Sequence, residues 1–190
     1  MRLYCTDKKT TRYDNLLVAI ALILVSIISS CGSSKIATKA SPSSEDYLKE
    51  IESAYNLDKE QRKLIEEAFS WLGTPYTYAM QDKGVGTDCS GMVMSVYRDV
   101  AGCLLPRNSA KQAEFCIKVK EKDARIGDLV FFATGKDPEK VSHVGILVDD
   151  NSFIHASTSK GVVVSRLHTP YYISRLKMYG RVPRNRAEVD

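Results

Sequence analysis

Residues 87–100 read TDCSGMVMSVYRDV, and the rest of the fold can be worked out from this stretch. Met92, Val93, Val96, Tyr97 and Val100 recur at helical spacing and mark the buried face of a helix. Asp88 precedes that face at the N-cap position, which places Cys89 in the first turn. On base rates a free cysteine is a small core hydrophobe. Its placement argues for a nucleophile instead. A thiol in the first turn meets the positive end of the helix dipole, which is expected to lower its pKa and favour the thiolate. A nucleophile also needs a base, and the chain has three histidines.

Upstream, residues 45–55 and 58–72 read as two helices. Asp58 and Gln61 have the spacing of a capping box, and Leu64, Ile65, Ala68, Phe69 and Leu72 form an apolar face closed by Gly73. Residues 73–88 form a loop rich in glycine and tyrosine. Downstream, LPRNSAKQAEF (105–115) reads as a turn entering a short helix. Then the period changes to alternation. Residues 128–133, 142–149, 152–157, 161–166 and 176–182 are short β-rich segments separated by Asp, Asn, Gly and Pro. Helices followed by an antiparallel meander predict an α+β fold, with the helices packed on one small sheet.

Two of the histidines fall on consecutive strands of that meander. With a three-residue loop centred on Asp149, His143 lies directly opposite His155. With a five-residue loop centred on Asp150, His143 pairs with Ser157 and His155 is its diagonal neighbour. Either loop keeps both rings on one face; a two- or four-residue loop separates them. Alone, the pair reads as two unrelated strand histidines. Beside Cys89 it reads as a base and the group that fixes the base's tautomer. His168, in LHTPYY (167–172), reads as a solvated loop residue.

The N-terminus bears on where such a thiol works. Arg2, Lys8, Lys9 and Arg12 precede an apolar run from Leu16 to Ile28 that is shorter than the ~20 residues of a membrane span. The sequence ISSC ending at Cys31 resembles a bacterial lipobox, which implies a signal peptide over 1–30 and a lipid-modified Cys31. No acid follows that cysteine, which by the same resemblance implies an outer-membrane lipoprotein facing the periplasm. Residues 31–46, rich in Ser and Lys, read as a flexible tether and 47–190 as one domain. Removing residues 1–30 leaves 23 basic against 21 acidic side chains, a balance of +2. That mild charge, with no basic aromatic stripe, excludes a nucleic-acid binder. Cys103 and Cys116 read as small hydrophobes more readily than as a disulfide. There is no Cys-x-x-Cys or third spaced ligand to suggest a metal site.

The segments GTPYTY (73–78), TDCSGMV (87–93), LPRNSAKQ (105–112), IGDLVFF (126–132) and SHVGILVDDNSFIHAS (142–157) occur in an order and spacing that resemble the NlpC-type cell-wall cysteine peptidases, which are papain-like. The resemblance runs from about Trp71 to Pro183. It implies that Cys89 is the nucleophile, His143 the general base and His155 the residue orienting it. It further implies that Tyr76, Asp88, Ser90, Arg107 and Ser109 border the substrate, peptidoglycan stem peptides, with no cofactor and a monomeric protein. One departure stands out: Ala79 and Met80 occupy positions where the family usually has two glycines, so the loop is expected to narrow the cleft.

The expected reaction is hydrolysis of a γ-D-glutamyl–diamino acid or D-alanyl–diamino acid bond. A wall amidase or papain-like acyltransferase is an alternative on the same framework. A catalytically silent wall-binding lipoprotein is the alternative of another class, and the intact Cys89, His143 and His155 count against it.

Overall fold

A computed structural model describes residues 44–183. The leader, Cys31 and residues 31–43 of the tether lie outside the described residues. The first helix, α1 (Ser44–Ala54), lies within a residue of the expected 45–55 and so takes in residues 44–46 of the expected tether; its first turn carries Glu45 and Asp46. Acids at that end complement the helix dipole and favour an early start. In α2 (Lys59–Phe69), Asp58 and Gln61 form the expected capping box. Leu64, Ile65, Ala68 and Phe69 are buried.

The chain then forms a small hairpin, β1 (Gln81–Asp82) and β2 (Gly86–Thr87), before the helix of the opening stretch, α3 (Cys89–Ala101). Asp88 caps α3 by accepting from the Gly91 N–H at 2.7 Å, and Gly102 ends it in the left-handed region at φ 63°. Asn108 caps the short α4 (Ser109–Phe115).

The remaining strands are β3 (Ile117–Val119), β4 (Leu129–Phe132), β5 (His143–Leu147), β6 (Ser152–Ser157), β7 (Gly161–Arg166) and β8 (Leu176–Arg181). Their order in the sheet is β3-β8-β4-β5-β6-β7, with antiparallel pairing throughout. Strands β4 to β7 form the expected meander. The last strand departs from it. A short helix, α5 (Pro170–Ile173), intervenes and β8 pairs with β4 and β3 instead of β7. Its docking is fixed by Arg181, whose guanidinium donates to Asp128 at 2.9 and 2.7 Å from 53 residues away. Local periodicity carries no trace of such a contact.

The sheet has two buried faces. Leu129, Phe131, Val144, Ile146, Ile154 and Ala156 pack with α2 and α3 in the main core. Val130, Phe132, Leu147, Phe153, Leu167 and Tyr179 form a second cluster, against which Tyr172 and Leu176 pack. Burial on both faces explains why β4 is a continuous apolar run. Cys89, Cys103 and Cys116 are all free thiols. Among the described residues no helix is long and apolar enough to cross a membrane.

Candidate active site

The β5–β6 register decides between the two hairpin alternatives. Ile146 pairs with Ile154 and Leu147 with Phe153, which is the five-residue loop. His155 is therefore the diagonal neighbour of His143, and continuing the register sets Gly145 opposite His155. The missing side chain at Gly145 matters. A Cβ there would stand 2.5 Å from Phe153 Cδ2 and 3.1 Å from His155 Cβ. With that space open, His143 Nε2 reaches His155 Nδ1 at 2.9 Å, the two rings edge to face.

Both histidines lie on the aromatic face of the sheet. His143 is paired with Phe132 across β4, and His155 stacks on Phe153 with ring centroids 4.7 Å apart. Burial pushes His143 down to about 4. Burial, with the neighbouring His143 ring, pushes His155 to about 3. Both are thus neutral at pH 7. The Nε2 of His143 is engaged by His155, so Nδ1 is the ring nitrogen left for the base role expected of this residue.

Cys89 begins α3 and belongs to the helical core, and it is 7% exposed. The backbone N–H of Val144, the residue after His143, is among the groups that draw its thiol pKa down, so the start of β5 carries the expected base and adjoins the expected nucleophile. No hydrogen bond joins the thiol to either imidazole among the described residues. The expected lowering of the thiol pKa is reversed. Burial, and then the charge of Asp88, push it up to about 11, outweighing the N–H groups of Val144, Ser90 and Cys89 that draw it down. Desolvation in a closed pocket exceeds the helix-end field. The resting couple is therefore a neutral thiol and a neutral imidazole.

The residues expected at the substrate fall into two groups. Asp88, Ser90 and Arg107 form one unit. Arg107 donates to both carboxylate oxygens of Asp88, at 2.9 and 2.8 Å, and to Ser90 Oγ at 3.1 Å. Ser90 Oγ donates to Asp88 Oδ1 at 3.0 Å. Burial raises the Asp88 pKa, but Arg107, the Gly91 N–H and Ser90 together hold it below the usual carboxylate range. Asp88 also accepts from Ala79 N–H, so its lone pairs are occupied within the fold. Tyr76 is half-buried, its hydroxyl raised by burial and by the nearby Cys89 and Asp88. Ser109 opens α4 and is buried, but it joins none of these hydrogen bonds.

In the departing loop, Ala79 takes φ 63°, a conformation that favours glycine. Its N–H holds Asp88, while Met80 O accepts from Arg107 and from Asp88 N–H. The Met80 thioether turns toward Gly86 of the hairpin. Tyr78, beside them, is 83% exposed.

Three groups escaped the sequence reading. Ser165 Oγ lies 2.9 Å and Tyr172 Oη 3.2 Å from His155 Nε2. Gln112 is fully buried and donates to Ser90 O and Pro106 O at 3.0 and 2.9 Å, tying α4 to the first turn of α3. Only Ser165 had a legible signal, its parity with His155 across a hairpin. A cavity of about 890 Å³ beside α2 and β8 contains none of these residues. Shape alone would have pointed away from the chemistry.

Residues 73–181 match the NlpC/P60 family. The chain is 41% identical over 109 residues to a probable endopeptidase of Haemophilus influenzae, covering 57% of this chain and 66% of that protein. It is 37% identical over 127 residues to the murein DD-endopeptidase MepS/murein LD-carboxypeptidase of Escherichia coli, covering 67% and 65%. The matched stretch thus spans just under two thirds of each relative's length. A crystal structure of a Staphylococcus aureus protein, similar to lipoprotein and of the NLP/P60 family, superposes with a TM-score of 0.61 at 31% identity. That match covers 69% of this chain and 44% of the other.

Proposed function

From its membership of the NlpC/P60 family, to which this chain belongs, we propose a cysteine endopeptidase that hydrolyses amide bonds of peptidoglycan stem peptides. The observation that carries the reading is the His143–His155 hydrogen bond, made from the strand whose next residue, Val144, offers its N–H to the Cys89 thiol. A scaffold has no need of a buried, hydrogen-bonded imidazole pair and a helix-end thiol in one domain.

Cys89 Sγ attacks the scissile carbonyl as its proton passes to Nδ1 of His143. Because both groups rest neutral, thiolate and imidazolium form together as the substrate arrives. The imidazolium is stabilised through its Nε2–H, which donates to His155. The Cys89 backbone N–H at the helix start faces the developing oxyanion. His143 then gives its Nδ1 proton to the leaving amine, and water, activated by the same nitrogen, releases the acyl group. Tyr76 and the Asp88–Ser90–Arg107 unit border the stem peptide, and Ser109 flanks the same groove.

The name of the E. coli relative, a murein DD-endopeptidase, favours the D-alanyl–diamino acid cross-link as the bond cut. Residues 1–30 act as a signal peptide in this reading. Lipidated Cys31 anchors the tether over 31–43 in the outer membrane, and the domain that begins with α1 works as a monomer in the periplasm. Mass spectrometry of purified muropeptides incubated with the protein tests the activity. Dimeric muropeptides should fall to monomers, with loss of the products in Cys89→Ala. A free disaccharide with its released stem peptide would point to an amidase, and an unchanged digest to a scaffold. Cys31→Ala should abolish detergent partitioning of the full chain; a lipidated Cys31→Ala species would refute the anchor.

A further inference from the structure

Two bridges join the first turn of α3 to the segment that enters α4. One is the Arg107 fork, whose side chain is 39% exposed. The other is Gln112, which is fully buried. Its Nε2 lies 3.0 Å from Ser90 O and 2.9 Å from Pro106 O. Both partners are carbonyls and can only accept, so the direction of these bonds is fixed and the NH2 group gives one proton to each. The Oε1 is buried too, and accepts from no group among the described residues. Leucine or methionine would fill the position without burying that oxygen, a burial that costs free energy. What the amide adds is its pair of donors.

Those donors close a ring around the nucleophile's turn. The peptide unit between Ser90 and Gly91 is gripped on both sides. Gln112 donates to its carbonyl, and its N–H donates to Asp88 Oδ1 at 2.7 Å. Arg107 holds the Asp88 carboxylate at 2.9 and 2.8 Å. Arg107 directly follows Pro106, whose ring fixes its own φ and whose carbonyl is the second acceptor of Gln112. The ring therefore runs from Gln112 through Ser90–Gly91, Asp88, Arg107 and Pro106 back to Gln112. Cys89 stands inside it, between Asp88 and the gripped peptide. Salt screens the exposed Arg107 link but does not reach the buried amide.

We propose that Gln112 is a positioning residue. By holding Ser90 O and Pro106 O at a fixed separation, it aims the Cys89 N–H at the developing oxyanion and keeps the Arg107 arm at the edge of the substrate groove. A misplacement of about 1 Å in such a site costs on the order of 100-fold in rate.

The kinetic consequence rests on the peptidase reading, whereas the effect on the backbone does not. Gln112→Met keeps the length of the side chain and removes both donors. In this variant hydrogen exchange at the Gly91 amide should speed up about fivefold or more, while the β4 amides exchange as in the parent. On muropeptides, at a temperature where the variant is fully folded, kcat/KM should fall by about 10- to 100-fold. Most of that loss should lie in kcat, where an interaction made only in the transition state appears. The loss should also deepen with salt, because the screened Arg107 link alone then holds the ring. A residue that only stabilised the fold would produce neither effect in folded protein. If Gln112→Met fails to fold, Gln112→Asn keeps an amide one methylene shorter, able to hold one carbonyl, and should show the same changes in smaller measure. Unchanged Gly91 exchange overturns the proposal. So does an unchanged kcat/KM, or a loss that is the same at low and high salt. A parent protein that cleaves no muropeptide would instead refute the peptidase reading, and Gly91 exchange would still decide whether Gln112 holds the turn.

Discussion

Nε2 of His143 lies 2.9 Å from Nδ1 of His155, and in the proposed mechanism this contact gives the two rings unequal work. His143 keeps its second nitrogen for the reacting proton in that mechanism. His155 has both nitrogens committed, one to His143 and one to Ser165 and Tyr172.

Unequal work predicts unequal kinetic losses. His143→Ala should reduce kcat about as severely as Cys89→Ala, by at least ~100-fold, because the two act as one unit. His155→Asn or Gln keeps an amide oxygen able to accept from His143 Nε2–H and should retain measurable turnover, while His155→Ala should lose more. Steady-state hydrolysis of muropeptides decides the order. A His155→Ala enzyme as active as the parent would show that the ring orients nothing.

The resting charge state is also testable. With burial pushing the Cys89 thiol up to about 11, alkylation by iodoacetamide in the substrate-free protein should still be climbing with pH above 8.5, the ordinary thiol value. A reaction midpoint below pH 7 would mean that a thiolate–imidazolium pair exists before substrate binds.

Acid should destabilise the fold through the same two rings. Their native pKa values, about 4 for His143 and about 3 for His155, lie below the 6.5 of an unfolded histidine. As pH falls from 6.5 toward 4, the unfolded chain takes up protons that the native state refuses. Stability should then drop by about 1.4 kcal/mol per pH unit for each ring. Urea unfolding across that window measures the slope. It should be shallower in His155→Gln, and an identical slope in parent and variant would contradict the burial argument.

Gly145 is predicted to be intolerant of a side chain. In Gly145→Ala the new Cβ would meet Phe153 Cδ2 at 2.5 Å and Ile154 O at 2.8 Å, neither of which is a loose chain end. Overpacking of this kind costs about 1–3 kcal/mol. The displaced Phe153 and His155 should also break the bond to His143. A lowered thermal midpoint with loss of turnover is expected, and a fully active, equally stable Gly145→Ala would refute the register argument.

By itself, the sequence determined whatever depends on neighbours a few residues apart. The Asp88 cap is a three-residue hydrogen bond, so the position of Cys89 at a helix start was readable. The period of two placed strands at 129–132, 143–147, 152–157, 161–166 and 176–181 close to their expected bounds, and put both histidines on one face for any odd loop length. Tertiary structure decided the rest, because those features depend on contacts across long separations or on burial. It selected the five-residue loop over the three-residue one, returned β8 to the side of β4, and closed the Arg107 fork on Asp88 across 19 residues. It brought Tyr172 to His155 from the segment after β7. It also reversed the expected sign of the thiol shift. A helix end acts on Cys89 through the local chain, but removal of water acts through everything packed around it, and here desolvation is the larger force.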